Sequence, residues 1–457
     1  MRGSGRRRKQ NATEDVGVEP LLSLGLLESL LPVGGGEFEQ AVLGPARQQA
    51  GIRCADPEFL LETWKQMNRR GASGVDGETI REFEADLESR IAEIHAQLRS
   101  GGYRPPPVRH VEIPKGDGKT RPLGIPTVAD RLVQRAVARI LTAIYEPEFL
   151  ACSYGFRPGK GPHDALRELR KQVIAGKTSQ IFEADIRGYF NHISHGWLQK
   201  MVAHRIADAT ILRLIARWLR AGVMQHGVVV RRTEGTPQGG PISPILANVY
   251  LHYVLDLWFE RKFRTTCKGE ASLIRFADDF VVCMQYKSDV DHLERVLPER
   301  MAEFGLQLAP EKTRNMLFGR FAHERLARLG KKPGTFEFLG FKHVSAVDRK
   351  GKGALVRIPS TKSCRRFMDR TKDWLRTHLH WRPRDQQREL ASMLRGFYQY
   401  FALSHTMPKL TWLRKQVLMQ WRRALRRRSQ RSRVHWSELE RHPWFDLPRP
   451  VLLHSTV

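Results

Sequence analysis

The chain of 457 residues carries 77 Lys and Arg against 48 Asp and Glu, a formal net charge of +29, with 41% hydrophobic residues. That length and apolar content support two or three globular domains and exclude a mostly disordered chain. The charge calls for a polyanionic partner, nucleic acid first, and five cysteines at 54, 152, 267, 283 and 364, with no Cys-x-x-Cys pair, argue against zinc knuckles and a disulfide framework.

Along the chain, the apolar stretch "LLSLGLLESLL" (21–31) is long enough for a signal-peptide core, but Glu14, Asp15 and Glu19 separate it from the basic 6–9 run and Glu28 interrupts it. A cytoplasmic protein of bacterial type, with nucleoid association open, is expected; no apolar run reaches the length of a spanning helix, so no membrane partner is expected. Residues 1–55 read as a mobile N-terminal extension, and the fold begins at "DPEFLLETWKQM", which has an Asp cap and a Pro at the first helical position. "RPPPVRHVEIPKGDGKTRPLGIPT" (104–127) reads as strand, basic glycine turn, strand. In the next helix Val133, Val137, Ile140, Leu141 and Ile144 share a face, and that helix ends before Pro147. "QIFEADIRGYF" (180–190) reads as a buried strand ending at Asp185, and "GTPQGGPISPILANVYLHYVLDLWF" (235–259) as a loop opening a long helix.

"RFADDF" (275–280) sets two carboxylates side by side between the apolar runs "SLI" and "VVCM", as at the tip of a hairpin without the usual glycine. If Asp185 meets Asp278 and Asp279, the three carboxylates call for a hard divalent cation between them. Two Mg²⁺ ions would suit nucleotidyl transfer. After "FEFLGF" (336–341) the chain turns to basic amphipathic helices, with 18 basic and 4 acidic side chains between Thr361 and Gln430. In "KLTWLRKQVLMQWRRALRRR", Leu410, Leu413, Val417, Trp421 and Leu425 make the apolar stripe, while Arg414, Arg422, Arg423 and Arg426 are candidates for contact with RNA.

"RPLGIPTVADRLVQRAV", "SYGFRPGKGPHDAL", "EADIRGYFNHI", "GTPQGGPISPILANVYL", "RFADDF" and "FEFLGF" together resemble, in order and spacing, the group II intron reverse transcriptase/maturases, over roughly residues 56–430. The resemblance implies an α+β, right-handed polymerase fold: fingers, a palm with an antiparallel sheet, and a helical thumb continuing into a basic α-helical maturase domain. It divides the chain into the extension 1–55, fingers and palm 56–345, thumb and maturase (X) domain 346–433, and a tail 434–457. It also implies that Asp185, Asp278 and Asp279 are the catalytic, Mg²⁺-binding carboxylates. Lys115 and Arg121 would grip the incoming triphosphate, Phe156 would exclude a 2′-hydroxyl, Gln238 would line the nucleotide pocket and Lys312 would lie near the primer end. Where the family commonly has Tyr-Ala-Asp-Asp, Phe276 stands in place of the tyrosine.

The function expected is an RNA-directed DNA polymerase that also binds intron RNA to assist splicing and mobility. Its partners would be intron RNA, an RNA template with a DNA or RNA primer, deoxynucleoside triphosphates and target DNA, with a homodimer left open. No cysteine follows Arg433, so the zinc-bound endonuclease often appended in the family is not expected. Two alternatives stand beside this reading: a host-adapted reverse transcriptase in defence or repair, and a non-catalytic RNA-binding splicing cofactor.

Overall fold

The computed structural model describes residues 56–457 apart from 115–119, 226, 231–232, 237–238, 321, 329, 349, 429–434, 440 and 456–457. The N-terminal extension, Lys115 and Gln238 lie outside the described residues. Helix α1 (Pro57–Lys65) starts as expected, its cap Asp56 accepting the Glu58 N–H at 3.1 Å with Pro57 in the first turn. Helices α2 (Ile80–Ala85) and α3 (Leu87–Arg99) follow, then strands β1 (Val108–Pro114) and β2 (Thr120–Ile125), paired antiparallel. Helix α4 (Val128–Tyr145) buries Val133, Val137 and Leu141 completely and Ile144 nearly so, while Ile140 sits at the margin of the core.

Next come α5 (Pro162–Ile174), β3 (Gln180–Asp185), α6 (His195–Arg205), α7 (Ala209–Arg220), β4 (Val223–Gln225) and β5 (Val228–Val230). Strands β4 and β5 complete a first sheet in the order β2-β1-β4-β5. Helix α8 (Ser243–Leu251) is prolonged by two π turns, His252–Asp256 and Phe259–Phe263. Strands β6 (Ala271–Phe276) and β7 (Asp279–Met284), helix α9 (Lys287–Glu303) and strand β8 (Arg314–Leu317) complete a second, antiparallel sheet, β6-β7-β3-β8. Both of its faces are covered, which is why β3 and β7 read as nearly continuous apolar runs. Phe182, Ala184, Phe280 and Val282 face the core shared with α4 and α8; Ile181, Ile274, Val281 and Cys283 face a second core shared with α5 and the C-terminal helices.

A short helix α10 (Ala322–Ala327) leads into a third sheet, β11-β10-β9, made of β9 (Thr335–Phe338), β10 (Phe341–Val347) and β11 (Gly353–Pro359). Here the structure departs from the expected order, in which helices follow "FEFLGF" directly, and the expected boundary at residue 346 falls inside β10. The reason is a period of two: Phe341, His343 and Ser345 are buried, alternating with half-exposed Lys342, Val344 and Ala346. Helices α11 (Thr361–Thr377), α12 (Pro383–Phe401) and α13 (Met407–Arg426) follow. The stripe read on α13 is buried at all five positions, Leu410, Leu413, Val417, Trp421 and Leu425. The tail returns to this bundle, burying Leu439, Phe445 and Leu447 in the same core.

One buried carboxylate ties the first core together. Asp130 on α4 accepts from the Tyr103 hydroxyl at 3.0 Å, the Trp218 indole at 2.7 Å and the Gln134 amide at 2.9 Å. Burial nevertheless pushes its pKa up to about 6, against those three donors. A raised folded-state pKa gives stability that is present below the unfolded value near 4 and is lost as pH rises through about 6, roughly 3 kcal/mol in all. Asp130→Asn keeps an oxygen for Tyr103 and Trp218, and its amide can meet the Gln134 Oε1, a buried acceptor without a hydrogen bond. The variant is expected to be more stable than the parent at pH 8 by about 1–3 kcal/mol and to match it near pH 4. Urea unfolding at the two pH values checks this; a variant weaker at both would show that the charge itself holds the network.

Candidate active site

Asp185 is the last residue of β3 and stands directly opposite Asp279, the first residue of β7. The expected two-carboxylate tip is thus corrected by one position. The turn between β6 and β7 consists of Ala277 and Asp278, and Asp279 already belongs to the strand. The hairpin tip manages without glycine because Ala277 itself takes φ +57°, at the position where a type II′ turn ordinarily has glycine. Its backbone is strained by order 1–3 kcal/mol, so the surroundings must hold it.

Three carboxylates therefore lie at one sheet end, Asp185 and Asp279 with different partners. Asp185, whose side chain is 16% exposed, makes an ion pair with the Lys312 ammonium from the 3₁₀ turn Pro310–Lys312. Asp278 stands half-buried in the turn. Asp279 accepts the Leu339 N–H, and burial, then Asp278 and Glu183, push its pKa up to about 8. Glu183 lies on the same face of β3, accepting from Arg314 Nε at 2.7 Å and from the Glu337 N–H at 3.2 Å. Leu339 and Gly340 form the β9–β10 turn with φ +51° and +76°; the Leu339 carbonyl accepts the Tyr400 hydroxyl of α12 at 2.9 Å.

Among the described residues no three His, Cys, Asp or Glu side chains converge closely enough to cage a metal ion. The oxygen-only donors at the sheet end do fit Mg²⁺ in its usual mode, with one or two protein carboxylates and the remaining positions left to water and substrate phosphate. The carboxylates at this end are Asp185, which pairs with Lys312, Asp278 in the turn, and Asp279, which accepts the Leu339 N–H.

The other expected site residues lie on other elements. Phe156 is half-buried with φ +60°, in a segment that lies against the hairpin. Arg121 sits on β2, opposite Ile113 and half-exposed. The loop carrying Gln238 reaches β2 at Gly239, where a Cβ would come within 2.5 Å of the Gly124 carbonyl, so only glycine lets the two backbones meet. The same loop is anchored to the segment after Asp185 by the Thr236 N–H on the Phe190 carbonyl, 2.8 Å. On α13, Arg423 and Arg426 are exposed, and Arg422 lies over the Trp436 ring at 5.7 Å. Arg414 differs: its guanidinium donates to the Leu447 carbonyl at 2.8 Å and pairs with Asp446, leaving its side chain 14% exposed. It holds the tail in place, and RNA contact is not assigned to it.

Sequence reasoning missed the group directly behind the hairpin. Arg275 and Asp256 are both fully buried, with Arg275 Nε on Asp256 Oδ1 at 2.7 Å and Nη2 on Oδ2 at 2.5 Å. The signal was present: an aspartate inside the apolar "VYLHYVLDLWF" and an arginine inside the apolar "SLIRF". Opposite charges in two apolar runs can be buried together only as partners.

The family described as "Reverse transcriptase (RNA-dependent DNA polymerase)" matches residues 113–343, which hold the first two sheets apart from most of β1, and all three carboxylates. The chain belongs to that family. Its relatives place this reverse transcriptase in the group II intron reverse transcriptase/maturase branch. It is 36% identical over 260 residues to Protein YkfC of Escherichia coli K12, covering 50% of this chain and 68% of that one. It is 36% identical over 247 residues to the group II intron-encoded protein LtrA of Lactococcus lactis subsp. cremoris, covering 53% of this chain and 37% of LtrA. An uncharacterized 91 kDa protein in the cob intron of Schizosaccharomyces pombe is 37% identical over 204 residues, 44% of this chain and 24% of that one. Among the described residues of the reverse transcriptase no helix is long and apolar enough to cross a membrane.

Proposed function

We propose that this chain extends a DNA or RNA primer on an RNA template, using deoxynucleoside triphosphates, and that it also binds its parent intron RNA to assist splicing and insertion into target DNA. The observation that carries the first half is that Asp185 stands opposite Asp279, next to Asp278, at one sheet end within the matched region. The β6-β7-β3-β8 sheet serves as palm, the β2-β1-β4-β5 sheet with α1 to α4 as fingers, and α11 to α13 as the helical thumb and maturase region. Two Mg²⁺ ions, when bound, would activate the primer 3′-hydroxyl and steady the phosphoryl group being displaced. Asp185, Asp278 and Asp279 would hold them, with Asp279 also fastening the hairpin to the Leu339 turn. Lys312 keeps Asp185 aimed towards the primer end. Lys115 and Arg121 would neutralise triphosphate charge, Arg121 bidentately. Gln238 would line the nucleotide pocket, and Phe156 would close off the space of a 2′-hydroxyl.

The second half rests on charge. Helices α11 to α13 lie within a segment of 18 basic and 4 acidic side chains, and Arg365, Arg366, Arg370, Arg423 and Arg426 are all exposed. Replacing Arg422, Arg423 and Arg426 with Gln keeps good helix formers over an intact apolar stripe, so the fold should persist. Affinity for structured intron RNA is expected to fall. The slope of log affinity against log salt should become shallower by up to about 0.9 per lost phosphate contact. Extension of a short annealed primer on an unstructured template should suffer less. Filter binding across a salt series, beside primer extension on the same preparation, reads both; an unchanged slope would make this face a merely solvated one.

A further inference from the structure

The segment before Phe156 and the hairpin carrying Asp278 are joined by one chain of buried hydrogen bonds. Residues 152–154 lie along the free edge of β6, with the Arg275 N–H on the Cys152 carbonyl at 2.8 Å and the Tyr154 N–H on the Arg275 carbonyl at 2.9 Å. Beyond them Gly155 touches the tip itself, where a Cβ would fall 2.4 Å from the Ala277 nitrogen. The Arg275 Nη1 donates to the Ala277 carbonyl at 3.1 Å and to Asn248 Oδ1 at 3.0 Å. Asn248, 1% exposed on α8, donates through Nδ2 to the Gly155 carbonyl at 2.7 Å.

The two carbonyls at the ends of this chain are not arbitrary. Each belongs to the peptide plane just ahead of a site residue: the Ala277 carbonyl precedes Asp278, and the Gly155 carbonyl precedes Phe156. Holding a peptide plane fixes the dihedrals on either side of it. At both places a non-glycine residue sits at positive φ, +57° at Ala277 and +60° at Phe156, conformations that persist only where their surroundings impose them. Asp256 supplies the counter-charge from a π turn, and the Ser153 hydroxyl accepts from Arg275 Nη2 at 2.8 Å.

We propose that Asn248 is a specificity-positioning residue: by gripping the peptide before Phe156 and sharing Arg275 with the peptide before Asp278, it sets the aromatic ring at a fixed distance from the catalytic carboxylates, and so helps to exclude ribonucleotides. This rests on the reading of Phe156 as the residue that blocks a 2′-hydroxyl. A residue that merely stabilised the palm would change the rates for both nucleotide classes together. A residue that aims Phe156 changes their ratio.

The test compares the ratio of kcat/KM for a deoxyribonucleotide to that for the matching ribonucleotide in the parent, Phe156→Ala, Asn248→Ala, Asn248→Asp and Ser153→Ala, with thermal melting of each. Asn248→Asp can still accept from Arg275 but has no hydrogen to give the Gly155 carbonyl, so it decides the matter if the alanine variant does not stay folded. Both Asn248 variants are expected to lower the ratio by about tenfold, in the direction of Phe156→Ala. Ser153→Ala removes a contact of Arg275 while leaving the Asn248–Gly155 hydrogen bond in place, and is expected to lower the melting temperature without moving the ratio. If Phe156→Ala shifts the ratio and neither folded Asn248 variant does, the positioning role is overturned. If Phe156→Ala itself leaves the ratio unchanged, the reading of Phe156 fails, and the proposal for Asn248 fails with it.

Discussion

Asp278→Asn is expected to abolish primer extension on an RNA template, by at least about 10³-fold, while leaving the binding of RNA intact. The substitution keeps the size and shape of a half-buried turn residue but removes one of the carboxylates proposed to hold Mg²⁺. Nothing in the basic helices changes. Asp185→Asn should have a loss of the same order, and there Lys312 would also be left without its anionic partner. Asp279→Asn is the informative contrast. Its carboxylate is engaged with the Leu339 N–H, so its loss should also act through the geometry of the hairpin and the turn it grips. Single-turnover extension, measured with Mg²⁺ titrated for each variant, separates the roles. Near-normal extension by Asp278→Asn at saturating Mg²⁺ would remove this hairpin from the chemistry.

The second large effect concerns stability. Asp256→Asn preserves shape but leaves the fully buried Arg275 guanidinium without its counter-charge, and breaking a buried pair from one side typically costs about 3–5 kcal/mol. Burial alone would raise the Asp256 carboxyl, but Arg275 and His252 outweigh it and hold the pKa below the usual range. A depressed folded-state pKa gives stability that is present above the unfolded value near 4 and is lost as pH falls through the folded one. The variant should therefore be weaker than the parent at neutral pH, and the gap should narrow in acid. Denaturant unfolding of the full chain at pH 7 and pH 3.5 checks both statements. A loss below about 1 kcal/mol at pH 7 would mean that Asn248, Ser153 and the Ala277 carbonyl suffice to satisfy Arg275.

What could be read from the sequence depended on whether a residue's role was local. Asp185 at a strand end and the Asp278–Asp279 pair between apolar runs announce themselves through strand patterning, as do the cap at Asp56 and the stripe on α13. The precise turn did not, because the positive φ of Ala277 is imposed by Arg275 and Gly155 and not by any preference of alanine. The β10–β11 hairpin was hidden by its Lys, His and Arg residues, although its burial alternates with period two. Arg414 looked like its neighbours on the helix; only the returning tail, thirty residues on, distinguishes it. Asn248 gives no signal at all in an apolar helix, since what it does is defined by the Gly155 carbonyl and the Arg275 guanidinium brought to it from other parts of the chain.

The Leu339–Gly340 turn is fastened at both ends, its N–H on Asp279 in the palm strand and its carbonyl on Tyr400 near the end of α12. Phe401, the next residue, packs against Gly340 and Phe341, so the turn cannot slide under the helix. It behaves as a short pull-rod. If nucleic acid bears on the basic helices, a displacement of α12 along this line would pass to the first residue of β7, immediately after Asp278. Grip on nucleic acid and aim of the carboxylates would then share a single mechanical coordinate, and a slack helical bundle would leave the Asp278 turn out of true.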